Sequence, residues 1–75
     1  MEHLLQFLER LDEEEIHYFL GHYRDSINVH VTIPGQRWEV EFFAGGSIEV
    51  EVFLVDGRGI GGPERLKELF GQSKM

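Results

Sequence analysis

The chain contains no cysteine among its 75 residues. That excludes disulfide staples, thiolate metal ligands and cysteine nucleophiles, and it fits a reducing compartment. Basic residues are scarce too: seven Lys and Arg stand against fourteen Asp and Glu, a formal net charge of −7. Nucleic-acid recognition needs clustered cations along a phosphate backbone, so no nucleic-acid partner is expected. No apolar run approaches the roughly 20 residues of a membrane-spanning helix. Met1-Glu2-His3 lacks the basic start of a signal peptide. Neither a leader nor a membrane segment is therefore expected, and the chain reads as cytoplasmic. There is no repeat, linker or low-complexity tract. One domain over residues 1–75 is expected, with a tail that frays from about Gly71. A core of this size stabilises by only about 3–5 kcal/mol.

What remains is strongly patterned. Leu4, Leu5, Leu8 and Leu11 recur at helical spacing, with Gln6, Glu9, Arg10 and Asp12 on the other side, which predicts a helix over Glu2–Glu13. Ile16 to Tyr23 fits either a continued helix or a strand. A continued helical stripe would run through Glu15 and His22. Alternation instead places Ile16, Tyr18 and Leu20 on one side and favours a strand. Three further strands alternate cleanly: Ser26 to Ile33, Gln36 to Phe43 and Ser47 to Val55. Pro34-Gly35 and Ala44-Gly45-Gly46 supply the turns between them. Residues Asp56 to Gly62 read as a loop with Ile60 tucked into the core. Pro63 suits the first position of a short helix that buries Leu66, Leu69 and Phe70. The expected fold is α+β: an antiparallel four-stranded meander, at least three-stranded, with both helices on one face.

Parity of the strands tests this layout, because a one-residue slip exchanges the faces of a sheet. Turning at Pro34-Gly35 pairs Val31 with Trp38, Val29 with Val40 and Ile27 with Phe42. A two-residue turn at Gly45-Gly46 would set Phe42 against Glu49. A three-residue loop with Gly46 left-handed sets it against Ile48, so the longer loop is expected. Turning at Arg24-Asp25 pairs Leu20 with Val29, Tyr18 with Val31 and Ile16 with Ile33. The same pairings define the opposite face in four rows. These are His17, Thr32, Arg37, Phe53; Phe19, His30, Glu39, Glu51; Gly21, Asn28, Glu41, Glu49; and Tyr23, Ser26, Phe43, Ser47.

Function is expected on that outer face. Glu39 opposes Glu51 and Glu41 opposes Glu49, and like charges directly across a sheet are unfavourable. The plain reading is a solvated polar face. The sharper one is an interaction surface, in which Phe19, Tyr23, Phe43 and Phe53 frame the four glutamates beside His30. A metal-dependent or acid/base enzyme is the alternative, with His30, Glu39 and Glu51 as ligands. Paired glutamates also evoke glycoside hydrolysis, but a flat sheet offers no cleft. Ser26 and Ser47 at turns and Ser73 in the tail make a poor set of nucleophiles. Gly57 to Gly62 ahead of a helix is a weak phosphate-loop signal, because it lacks the Gly-Lys-Ser/Thr ending and Pro63 removes a donor. No catalytic residue and no cofactor is expected.

Pro34-Gly35-Gln36-Arg37-Trp38-Glu39-Val40-Glu41-Phe42-Phe43, followed by Gly46-Ser47-Ile48-Glu49-Val50-Glu51, resembles a family of short bacterial proteins of unknown function. The resemblance runs from about Leu4 to Phe70. It implies a leading helix, the Pro-Gly turn, the two motif strands and a bacterial cytosolic origin, and it brings no activity, cofactor or partner. Taken together, the residues predict a non-catalytic acidic interaction domain. Its partner would be a second copy of itself or a basic protein, as for an inhibitor or immunity-type protein.

Overall fold

In the computed structural model, residues 2–54, 57–61 and 66–73 are described, with backbone alone at 57–61 and 71–73. The chain runs α1 (Glu2–Glu13), β1 (Tyr18–Tyr23), β2 (Ser26–Ile33), β3 (Gln36–Phe43), β4 (Ile48–Leu54), β5 (Gly57–Gly61) and α2 (Leu66–Ser73). The strands form one antiparallel sheet in the order β1-β2-β3-β4-β5. This is the expected α+β meander with one more strand at its edge. Among the described residues, no helix is long and apolar enough to cross a membrane.

Helix α1 has the expected bounds but a different buried stripe. Leu4, Phe7 and Leu11 are buried and Leu8 packs against the core, whereas Leu5 is 61% exposed. Positions 4, 7, 8 and 11 follow the i, i+3, i+4, i+7 spacing of one helical face, and Leu5 falls off it. Phe7 reaches Phe42 of β3 at 5.5 Å between ring centroids and Phe70 of α2 at 5.9 Å. Both helices therefore close the same side of the sheet.

The helix ends in a Schellman turn. Ile16 N–H donates to the Leu11 carbonyl at 2.9 Å and Glu15 N–H to that of Asp12 at 3.1 Å, with Glu15 left-handed at φ 57°. Leu11 and Ile16 both enter the core, the apolar contact that accompanies this motif. The turn stops the helix at Glu13 and releases Tyr18–Tyr23 for sheet pairing.

Register follows the parity argument throughout. Tyr18 pairs with Val31 and Leu20 with Val29, Val29 with Val40 and Val31 with Trp38, and Phe42 with Ile48. The pairing of Ile16 with Ile33 does not form, because β1 begins at Tyr18; Ile16 is buried as the end of the Schellman turn instead. Gly35 has φ 78°, as the second central residue of a type II turn requires. Gly46 has φ 101°, its N–H donates to the Phe43 carbonyl, and Phe43 N–H donates to Ser47, which closes the three-residue loop. Val29, Val31, Trp38, Val40, Val50 and Val52 fill the core beneath the helices together with Leu69. The Trp38 indole donates to Gln36 Oε1 at 2.8 Å, so no buried donor is wasted there.

Three further expectations change. The loop expected over residues 56–62 contains strand β5 at Gly57–Gly61, with Gly59 opposite Val52 and Ile60 opposite Glu51. Its glycines give no alternation to read, while their backbone pairs as any other does. Leu20, expected inward, is 56% exposed: the core under the helices takes in Tyr18 at the start of β1 but does not extend to Leu20. Helix α2 runs to Ser73, past its expected end at Phe70. Of its expected core residues, Leu69 is buried and Leu66 and Phe70 pack against the core. The helix start at Pro63, the strand end at Val55 and the side chain of Ile60 lie outside the described residues.

Candidate interaction surface

The outer face assembles as its parity requires. Phe19, His30, Glu39 and Glu51 lie in one row across β1 to β4, and Gly21, Asn28, Glu41 and Glu49 in the next. Tyr23, Ser26 and Phe43 form a third row, and Thr32, Arg37 and Phe53 a fourth. Glu39 thus faces Glu51 and Glu41 faces Glu49 across the β3–β4 ladder. A shallow depression of about 140 Å³ opens between them, lined by Asn28 and the four glutamates with Val50 at its floor.

The aromatic frame is uneven. Phe19 is 73% and Tyr23 60% exposed, both on β1. Phe43 and Phe53 are half-buried. Phe53 also carries a lid, because the Arg37 guanidinium lies 4.4 Å from its ring centroid, in cation–π range. The two rings free for contact are therefore those of the sheet edge. Arg24 lies 5.4 Å from the Tyr23 ring and leaves most of it in solvent.

The acids differ in their surroundings. Glu39 Oε2 sits 3.8 Å from both His30 Nδ1 and Arg37 Nη2, ion-pair distances beyond hydrogen-bond reach. Glu41 accepts from the Ser26 hydroxyl. That hydroxyl also lies 3.0 Å from the Tyr23 carbonyl and carries one hydrogen, so it donates to one of the two at a time. Ser26 is 3% exposed, although its row faces outward, which makes this contact the anchor that positions Glu41. Glu49 is the exposed acid of the four, while Glu41 and Glu51 are half-buried.

All nine residues expected on the surface, Phe19, Tyr23, His30, Glu39, Glu41, Phe43, Glu49, Glu51 and Phe53, share the face. Arg37, Asn28 and Ser26 belong to it as well. The row assignment already placed all three there; what it does not show is that Arg37 stacks on Phe53 or that Ser26 is buried. His30 and Glu39 approach each other and Glu51 lies next across β4. Among the described residues, however, no three His, Asp or Glu side chains converge to hold a metal ion. No protein-family model, curated protein or solved structure matches this chain.

Proposed function

We propose that the chain is a non-catalytic cytoplasmic domain whose acidic sheet face binds a basic protein, as an inhibitor or immunity-type partner would. The observation that carries this reading is the pairing of Glu39 with Glu51 and Glu41 with Glu49, beside the exposed rings of Phe19 and Tyr23. A cationic partner would turn cross-strand repulsion into attraction, and flat exposed rings are the usual anchors of a binding surface. A net charge of −7 would speed the encounter with a basic protein at low salt. The resemblance of the β3–β4 motif to short bacterial proteins agrees with a cytosolic setting and adds no activity.

The test compares wild type with a Phe19→Ser/Tyr23→Ser variant and with Glu39→Gln/Glu49→Gln as immobilised baits. Bound proteins are identified and their isoelectric points read. One basic protein should be retained by wild type and released by salt. It should be lost from each variant, with unchanged circular dichroism. Retention of the same protein by both variants, or a partner that is acidic, would remove the proposal.

A further inference from the structure

We infer that β1 is a homodimerisation edge: two copies pair through antiparallel β1 strands about a two-fold axis at Leu20, joining their sheets into one. The inference does not need a basic partner: it rests on backbone groups, on Leu20, which points to the helix side, and on Phe19 as a cover for Gly21, and it is tested at Leu20, away from the acidic face.

The hydrogen-bond parity can be followed from one turn. Ala44 N–H donates to the Asp25 carbonyl at 2.8 Å, so Asp25 aims its backbone groups at β3. By alternation Ser26, Asn28 and His30 aim theirs at β1. Their partners there are Tyr23, Gly21 and Phe19. Tyr18, Leu20 and His22 consequently turn both N–H and C=O to the open side of the sheet, where β1 has no neighbouring strand among the described residues. Three donors and three acceptors in a row make a template for another strand.

Edges that must stay single are protected by lysine, proline, a bulge or inward charge. Tyr18-Phe19-Leu20-Gly21-His22-Tyr23 has no charged residue and no proline, and its register with β2 runs without interruption through all six positions. Leu20 is 56% exposed on the helix side and Phe19 73% on the other. Adjacent apolar residues on opposite faces are thus uncovered at the same edge.

Gly21 is the independent observation. A Cβ there would lie 3.6 Å from His30 Nε2, an ordinary contact, and its φ is outside the left-handed range. The monomer does not require glycine at this position, and glycine weakens a strand unless something approaches it closely. An axis at Leu20 supplies that approach. Leu20 then meets Leu20 and Tyr18 meets His22 of the second copy, all of them residues with outward backbone groups. Phe19 lies opposite the second copy's Gly21 and covers it, the cross-strand remedy for a bare glycine. An axis at Gly21 would keep parity but set Tyr18 against Arg24, which is left-handed at φ 54° and outside the strand. Antiparallel pairing also brings Arg24 to the Asp12–Glu15 end of the second copy, an attraction between two otherwise anionic chains.

Sedimentation velocity from micromolar to about 1 mM, joined with amide hydrogen exchange, tests the inference. The 8.7 kDa chain should sediment as a dimer. The Leu20 and His22 amides should be protected in the dimer and lose at least about tenfold protection on dilution, while Phe19, Gly21 and Tyr23 stay protected. Leu20→Pro removes an N–H that faces the open edge and not β2, a placement proline tolerates in an edge strand, and should give a folded monomer. Leu20→Lys should do the same without touching the backbone, and it decides the matter if the proline variant fails to fold. A wild type that is monomeric up to about 1 mM, or a dimer that survives Leu20→Lys, would overturn the inference.

Discussion

Single side chains do more to join elements here than their number suggests. Tyr18, at the start of β1, donates its hydroxyl to Asp12 Oδ1 of α1 at 3.2 Å. Burial first, then the hydrogen bond and charge of Asp12, push the phenol above its ordinary value of 10.0. Because the folded state holds this proton more tightly, the contribution to stability is complete below the unfolded value and is lost as pH rises through the folded one. Urea unfolding at about pH 8 and about pH 11 should therefore show a steeper alkaline loss in wild type than in Tyr18→Phe. Parallel losses would assign the alkaline sensitivity to other groups. Residue detail was the least legible scale in the sequence. Phe7 and Leu5 exchange roles relative to a simple leucine stripe, since Leu4, Leu5, Phe7 and Leu8 offer more than one helical face. Ser26 looks like a solvated turn residue until its hydroxyl is seen holding Glu41.

At the scale of elements, the turns decide more than the strands do. Glu15 occupies the left-handed position after α1 where glycine is favoured, and its charge adds to the negative end of the helix. A non-glycine residue pays about 1–2 kcal/mol for this conformation, partly offset by the greater freedom glycine has when unfolded. Glu15→Gly should thus raise the unfolding free energy by about 0.5–1 kcal/mol in urea titration. A loss would mean that the carboxylate has a structural role. Four strands and three turns were legible because inward aliphatics had to match across each hairpin, and that one constraint also selected the three-residue loop at Ala44-Gly45-Gly46. Strand β5 was not legible. Gly57-Arg58-Gly59-Ile60-Gly61 has no alternating pattern, and only the free ladder of β4 gives it a place.

For the whole molecule, the uneven coverage of the sheet matters most. Two short helices cover the centre, where Trp38, Val40 and Val50 lie, and leave Leu20 of β1 bare. Which strands a helix pair covers is a tertiary outcome, so periodicity could put Leu20 on the helix side but not say that it is exposed. The outer face was legible as a set of rows; that Phe53 is lidded by Arg37 while Phe19 and Tyr23 stand free was not. On the proposed reading, β3 and β4 carry opposed acids at a cost in stability that a basic partner would relieve. Glu49 is the residue to change, being exposed and opposite Glu41, so that Ser26 keeps its contact. The most direct measurement is the unfolding free energy of Glu49→Gln against wild type at low and at high salt. The variant should be more stable by about 0.2–1 kcal/mol at low salt, with the difference shrinking as salt screens the pair. Equal or lower stability of Glu49→Gln at low salt would contradict the claim and leave the glutamates as an ordinary solvated face.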